Sequence, residues 1–226
     1  MMEKRKRLKR RMKGITLIEL LVVVAIITIL AAILLPYISN RTEDARIAVM
    51  EDMISSLRSA TTLMFNDMSV YPTQWINFVS PFGTGWKGPY LQRSDTDSNT
   101  PETWESGSPW KTDLRLITLN ASATSVRFAS STNLFPLRYG ICLVVSNPVV
   151  STSPLSHAIP FSSLEKIDKD LDDGAYDKGY IVHSSTAPDT GTNPPFAASP
   201  TMTFESYNGT PANNNYYLYI LINAIP

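Results

Sequence analysis

Glu19 is the side chain best placed to do chemistry in this 226-residue chain, because it is the only charge within a long apolar run. From Ile15 to Leu35 there are 21 residues with no other ionisable group. As a helix they would extend about 30 Å, the thickness of the hydrocarbon core of a bilayer. A carboxylate in such a span costs on the order of a few kcal/mol unless it is neutralised or paired. We therefore expect a positively charged amine as its partner.

The residues before this run form a strongly basic segment. Residues 1–14 hold eight Lys or Arg and one acid, Glu3, so the positive-inside rule predicts a cytoplasmic leader with the remainder on the other side of the membrane. Beyond residue 14 the chain has 12 basic and 19 acidic side chains, a formal charge of about −7. Such an acidic exterior does not suit general nucleic-acid binding, which needs a basic surface.

The junction at residues 13–19 (KGITLIE) resembles the type III signal of type IV pilins and type II secretion pseudopilins. The resemblance implies that a prepilin peptidase cuts after Gly14 and that the new amino terminus, Ile15, is N-methylated. It also implies that Glu19 pairs with the Ile15 amine of a neighbouring subunit during assembly, and that Pro36 kinks or loosens the helix. Ile15 departs from the family, where Phe or Met is more usual.

An ordinary signal anchor or secretory signal is the alternative interpretation. A secretory signal has a shorter apolar core and a small-residue cleavage site, whereas residues 31–36 continue the apolar run up to the proline. A signal anchor leaves both Glu19 and the glycine at the polar boundary unexplained.

After Pro36 the apolar pattern becomes one-sided, which predicts an amphipathic helix that ends before Tyr71 and Pro72. We predict four segments: a basic leader (1–14), a transmembrane or filament-core helix (15–35), the amphipathic part of the helix (36–68) and a globular β-rich domain (69–226). The predicted apolar face of the third segment comprises Ile38, Ala45, Val49, Met53, Leu57, Ala60, Met64 and Met68.

The globular segment predicts an α+β fold, in which the long N-terminal helix packs on a small antiparallel sheet. Residues 69–125 are rich in turns and tryptophans and should form a helix-to-sheet loop on the helix; they partly resemble the same segment of the major pseudopilin. Strands are predicted at 125–129, 139–146, 179–183 and 216–223, and residues 184–215 read as a long C-terminal loop. A short helix capped by Ser162 and Glu165 is predicted between the strands.

Five aspartates lie near the C-terminus of that short helix and are compatible with a calcium site, because calcium takes several carboxylate oxygens from a short loop. They are Asp168, Asp170, Asp172, Asp173 and Asp177. The spacing begins like an EF-hand but places Gly174 one position late and puts Gly179 where a bidentate Glu belongs. A solvated acidic surface is the preferred interpretation, with no metal or other cofactor, and calcium is the alternative.

Catalysis finds little support in the sequence. The two histidines, His157 and His183, show no metal-ligand or nucleophile–base spacing, and Cys142 lies in an apolar strand pattern. We therefore predict no enzymatic activity and no catalytic residues. A single cysteine also excludes an intramolecular disulfide.

The preferred interpretation is a structural subunit of a type II secretion pseudopilus, which would serve protein transport. The resemblance implies a single-pass protein of the inner membrane with a periplasmic C-terminal domain, which later enters a periplasmic or extracellular filament. Its partners would be copies of itself in a helical homopolymer, other pilin-like subunits, the prepilin peptidase and methylase, and an inner-membrane assembly platform. The alternatives are a type IV pilin for adhesion, motility or DNA uptake, and a membrane-anchored ectodomain that binds a ligand and never polymerises.

Overall fold

The computed structural model of the chain describes residues 15–92, 103–119, 126–127, 134–135, 139–152, 155–185, 205–208 and 214–225. The chain divides between Glu43 and Asp44 into two compact units. Helix α1 (Leu17–Met68) contributes residues to both units and is helical without interruption through Pro36. The kink expected at Pro36 therefore stays a prediction.

The first unit presents apolar side chains on all sides of α1. Fifteen large apolar residues between Ile15 and Leu35 are each 49–81% exposed. The stretch Leu17–Leu35 is long and apolar enough to cross a membrane, judged by length and composition. A helix that is apolar all round needs an apolar environment, because water would face the whole of this surface.

The second unit contains a five-stranded antiparallel sheet, as the α+β prediction requires. Its strand order is β1 (Thr103–Trp104), β2 (Leu114–Leu119), β5 (Tyr139–Asn147), β9 (Tyr216–Ile225) and β8 (Ile181–Ser184). Two small hairpins accompany it: β3 (Val126–Arg127) with β4 (Leu134–Phe135), and β6 (Val149–Thr152) with β7 (Leu155–His157). Three of the four predicted strands lie in the main sheet, while the fourth forms only the short β3 of a hairpin.

One face of the sheet forms the core of the second unit. The strand register places Leu116 opposite Leu143, Leu143 opposite Ile220, and Ile220 opposite Ile181, so an apolar row crosses four strands. This row belongs to the same buried cluster as the second part of α1. Side chains of the opposite face are buried as well, namely Ile117, Cys142, Val144, Val182, Tyr219 and Leu221. Burial on both faces explains why β5 and β9 are apolar in runs.

The face of α1 that packs in this cluster differs in part from the predicted one. The buried residues recur in alternating steps of three and four: Ile47, Met50, Ile54, Leu57, Thr61 and Met64. Leu57, Ala60 and Met64 were correctly predicted, whereas Ala45 is exposed and Val49 is 55% exposed. Successive steps of four each drift about 40° around a helix, so Ala45 lies about 120° away from Leu57. Alternating steps of three and four reduce the drift to about 20° in seven residues, which keeps the larger side chains in the core cluster.

The segment after α1 is more ordered than a loop. It contains a short 3-10 helix (Trp75–Phe78) and then β1 and β2, so the prediction of a loop throughout 69–125 was wrong for the described residues 75–78, 103–104 and 114–119. Trp75 and Trp110 are buried, as the aromatic content predicted. Asp67, near the end of α1, accepts hydrogen bonds from Lys87 Nζ and the Tyr90 hydroxyl, both at 2.9 Å, and so ties this segment to the helix.

Helix α2 (Phe161–Leu171) begins without the predicted capping box. Its N-cap is Pro160, which makes no side-chain cap, and Ser162 lies inside the first turn. Proline's fixed φ angle starts the helix two residues earlier than the Ser162 pattern suggests, and its missing N–H costs nothing at that position. The helix ends at Asp172, and Gly174 follows with a φ of +74°.

The packing of α1 makes a prediction about stability. Ile54→Ala should lower the free energy of unfolding of the second unit by about 2–5 kcal/mol, because Ile54 is fully buried in the core cluster and its removal leaves a cavity. Leu63→Ala is the matched control, since it removes the same number of carbons from a side chain on the same helix that is 56% exposed. Urea unfolding of the full chain in detergent micelles, followed by tryptophan fluorescence, measures both. Equal losses in the two variants would contradict this assignment of the buried face.

Candidate functional site

The N-terminus of α1 holds Glu19 in a reciprocal pair of hydrogen bonds with Thr16. The Thr16 backbone N–H donates to Glu19 Oε2 at 2.8 Å, and the Thr16 hydroxyl donates to the same oxygen at 2.9 Å. The Glu19 backbone N–H lies 3.3 Å from Thr16 Oγ1. This is a capping box, in which two backbone donors that the helix leaves unpaired are satisfied by side chains three residues apart.

The sequence carried this signal, but the prediction for Glu19 overlooked it. Thr16 and Glu19 match the S/T-x-x-E pattern directly before an apolar run. The predicted partner was an amine alone, whereas the structure shows Thr16 as a partner within the chain. Both bonds reach Oε2, and among the described residues none reaches Oε1. One carboxylate oxygen thus remains available to a second donor.

Every polar side chain of the apolar stretch is hydrogen-bonded within the stretch. Besides Thr16 and Glu19, the only polar residue between Ile15 and Leu35 is Thr28, whose hydroxyl donates to the Val24 carbonyl at 2.8 Å. A hydrocarbon environment offers no partner to an unpaired polar group, so such groups must be satisfied within the protein. The stretch meets this requirement without water, except at the Oε1 atom of Glu19.

Of the two predicted processing residues, the structure describes Ile15 only. Ile15 is 79% exposed and lies just before α1 begins. Gly14 and the basic leader lie outside the described residues. Cleavage after Gly14 and methylation at Ile15 therefore remain predictions.

The aspartates of the last turns of α2 and the loop after it are only partly brought together. Ligand oxygens of Asp168, Asp172 and Asp173 lie within 4.8 Å of one another. Asp170 interacts instead with Glu51 of α1. Burial, together with the Asp170 carboxylate, raises the pKa of Glu51. Burial, with the charges of Asp172 and Asp173, raises the pKa of Asp168 to about 6, against a hydrogen bond from Tyr207. The structure thus brings together three of the five acids that the sequence singled out.

His183 occupies a buried aromatic site that the sequence did not predict. Its ring is stacked between Tyr207 and Tyr216, with ring centroids 5.1 Å away on each side, and Phe161 meets its edge. Nδ1 lies 2.7 Å from the Glu205 carbonyl and must carry the proton, because a carbonyl only accepts. Nε2 is buried and has no hydrogen-bond partner among the described residues. Burial therefore lowers the pKa of His183 to about 4.

Cys142 lies in β5 and is buried, as predicted. Burial raises the pKa of its thiol to about 12, so it is not a thiolate at neutral pH. Neither Cys142 nor His183 is placed as a nucleophile or a solvent-accessible base in this arrangement.

Comparison with known proteins finds similarity over part of the chain. Residues 9–35 match the family model of the prokaryotic N-terminal methylation motif. The chain is also 35% identical over 65 residues to the type II secretion system core protein G of Pseudomonas aeruginosa. That match covers 29% of this chain and 46% of the relative. No solved structure gives a significant match. The resemblance to the pilin and pseudopilin family is confirmed by these two matches.

The buried His183 predicts how stability depends on pH. The pKa of His183 in the folded protein is below the unfolded value of about 6.5. The neutral ring therefore makes its full contribution to the free energy of unfolding above pH 6.5. That contribution, about 3 kcal/mol at most, is lost as the pH falls towards 4. His183→Gln retains an N–H donor for the Glu205 carbonyl but does not titrate. Urea unfolding at several pH values should give a smaller loss between pH 6.5 and 4 for His183→Gln than for the wild type. His157→Gln should retain the wild-type slope, and identical slopes in all three proteins would contradict the assignment.

Proposed function

We propose that this chain, which carries the N-terminal methylation motif of pilin-like proteins and is homologous in part to a secretion core protein, is a structural subunit of a type II secretion pseudopilus. It would be inserted in the inner membrane, cut after Gly14, methylated at Ile15 and assembled with copies of itself and with other pilin-like subunits. The observation that carries the proposal is the motif match across residues 9–35, which includes Gly14, Ile15 and Glu19.

The exposed apolar helix supports assembly after membrane insertion. Between Ile15 and Leu35 the large apolar side chains are all at least 49% exposed. Leaving a bilayer would transfer this surface into water at about 25 cal/mol for each Å². Extraction is feasible only if another apolar surface replaces the lipid, and the same helix of neighbouring subunits offers one. Polymerisation in this scheme is an exchange of lipid contacts for protein contacts.

Glu19 would fix the position of an incoming subunit along the helix. The capping box with Thr16 holds its carboxylate at the helix N-terminus through Oε2, where the helix dipole favours negative charge. The amine that cleavage creates at Ile15 of an incoming subunit would then pair with the second oxygen. A charge pair is stronger in hydrocarbon than in water, since the dielectric constant is lower. Apolar packing alone has no direction along the helix, whereas one charge pair in each interface selects one position.

The remaining parts of the mechanism require other proteins. A prepilin peptidase would cut and methylate the precursor, and an inner-membrane assembly platform would deliver subunits to the base of the filament. Energy would come from a separate cytoplasmic ATPase, because the sequence contains no phosphate-binding loop. The acidic second unit would lie in the periplasm, which follows from the basic leader on the cytoplasmic side.

The first experiment concerns processing. Gly14→Val should leave an uncut precursor about 14 residues longer than the mature protein, because a branched side chain at the cleaved bond would not fit the peptidase site. Mass spectrometry of the membrane fraction, from cells that express the peptidase, measures the length of each product. Thr28→Val is the control, since it lies in the same apolar stretch away from the junction and should be cut normally. Normal processing of Gly14→Val would rule out the proposed signal.

The second experiment separates charge pairing from helix capping at Glu19. Glu19→Leu removes both, and the expected result is normal insertion and cleavage with filaments reduced at least about tenfold, since the incoming amine loses its partner. Glu19→Gln retains an acceptor for Thr16, because Gln also forms a capping box, but carries no charge. Electron microscopy of cells overproducing each variant counts the filaments. If charge sets the register, both variants lose filaments.

Two outcomes of this experiment would argue against the mechanism. Filaments of Glu19→Gln at wild-type yield would show that capping, not charge pairing, is the role of Glu19. Absence of filaments in cells overproducing the wild-type protein, with processing intact, would favour the membrane-anchored ectodomain that does not polymerise.

A further inference from the structure

A short segment of the chain covers the outer edge of the main sheet at β8. This strand stands at the end of the strand order and pairs with β9 on one side only. On its other side the Glu205 N–H donates to the His183 carbonyl at 3.0 Å, and the His183 N–H donates to the Tyr176 carbonyl at 2.9 Å. Open backbone groups on an edge strand are a template for pairing with another chain, so these contacts protect the sheet.

Residues 205–207, which we call the strap, are fastened to β8 by His183. The Nδ1 atom of His183 donates to the Glu205 carbonyl at 2.7 Å, and the Tyr207 ring stacks on the imidazole with ring centroids 5.1 Å apart. Two further contacts use other residues: the Ser185 hydroxyl donates to Glu205 Oε1 at 3.0 Å, and the Tyr207 hydroxyl donates to Asp168 Oδ2 at 2.9 Å. His183 is therefore the residue that holds the strap at both Glu205 and Tyr207.

This arrangement suits a neutral His183 ring and not a charged one. The residue has no exposed surface, and its ring lies between Tyr207 and Tyr216 with the Phe161 ring at its edge. Because Nδ1 already carries a proton, a second proton would go to Nε2, which is buried and has no hydrogen-bond partner among the described residues. A charge at a buried atom without an acceptor is costly. Protonation therefore favours a state in which Nε2 meets water.

The strap is the wall of this site that can open at the lowest cost. Tyr216 belongs to β9, which pairs with both β5 and β8, and Phe161 belongs to α2. Displacing either ring would disturb the sheet or the helix. The strap belongs to neither, and within the described residues its single backbone-to-backbone bond is the one between Glu205 and His183. Segments with few such bonds open locally while the remaining structure stays folded.

We propose that the strap closes the outer edge of β8 and that protonation of His183 releases it. In neutral solution the ring donates to the Glu205 carbonyl and stacks on Tyr207, and the edge is closed. In acid the ring takes a second proton at Nε2 and the strap moves away, so that the charged ring and the His183 carbonyl meet water. The sheet itself stays folded. This device lies within the second unit and does not depend on the proposed filament.

Other ionisable groups around His183 modify this response. His157 of β7 is the charge that acts on His183, and it opposes protonation of the buried ring. The Glu205 carboxylate is directed to the Ser185 hydroxyl. Burial raises the pKa of Asp168, behind Tyr207, to about 6, so its protonation favours the closed strap and opposes the effect of His183. Three tyrosines also contact His183, and phenols are uncharged in acid: Tyr176, Tyr207 and Tyr216.

Hydrogen exchange of the full chain in detergent micelles tests the proposal at the Glu205 amide. Mass spectrometry compares peptides that contain Glu205 with peptides from residues 141–145 of β5, and labelling times are scaled for the intrinsic exchange rate at each pH. If the strap opens locally, the Glu205 amide should exchange at least about tenfold faster than the β5 amides at both pH 7 and pH 5.

The pH dependence is measured as the ratio of wild-type to His183→Gln exchange rates at the Glu205 amide. Gln retains an N–H donor for the Glu205 carbonyl but does not titrate. Asp168 titrates in both proteins, so its effect cancels in the ratio. A His183 pKa of about 4 with the strap closed, against about 6.5 with the ring in water, predicts that the ratio rises about 20-fold from pH 7 to pH 5. His183→Asn, which also donates without titrating, is the second variant if His183→Gln does not fold.

His157→Gln is the matched control, since it replaces the other histidine beside Phe161 and Tyr216. It should retain at least about a fivefold rise relative to His183→Gln. The proposal is overturned if the Glu205 amide exchanges no faster than the β5 amides, because the strap would then open only when the sheet unfolds. It is also overturned if the ratio does not change with pH, or if His157→Gln removes the rise. Filament formation is not measured, so these results are independent of the proposed polymerisation.

Discussion

The exposed apolar surface between Ile15 and Leu35 is the constraint on which the remaining features depend. These side chains are 49–81% exposed, and they are too many and too contiguous to face water. The stretch needs lipid or other apolar helices around it at every stage. This requirement explains why Thr16, Glu19 and Thr28 are hydrogen-bonded within the helix. It also makes a charged side chain such as Glu19 informative, because an apolar environment does not tolerate charge without a function.

The second part of α1 is buried on one side only. Here one line of side chains, from Ile47 to Met64, packs in the core with the apolar row of the sheet. Thr61 belongs to this line, and its buried hydroxyl is satisfied by the Leu57 carbonyl at 2.9 Å. The opposite side of this part of the helix carries exposed Val49 and Leu63 among charged and small residues. One helix therefore combines a stretch that is apolar all round with a stretch that is apolar on one side.

The C-terminal part of the second unit contains its least expected interactions. His183 is held neutral between aromatic rings, and Asp168 is buried with one oxygen unpartnered. Tyr207 connects these two residues, since its ring stacks on His183 and its hydroxyl bonds Asp168. Because burial shifts the pKa values of both groups beside this tyrosine, the stability of the region depends on pH.

The sequence alone determined the features that depend on local composition and periodicity. The membrane-length helix, the charge asymmetry, the antiparallel sheet with β5, β8 and β9, and the buried Cys142 all follow from patterns within one segment. The face of α1 was only partly predictable, because two apolar lines share the helix and only packing in the core cluster decides between them. Strand β2 was missed because its six residues stand within a turn-rich region, and pairing with β5 makes it a strand. The burial of Asp168 beside Tyr207, and the position of His183 between Tyr207 and Tyr216, depend on residues far apart in the chain. Only the tertiary structure could decide these, because burial and contact at a distance are not encoded in any local pattern.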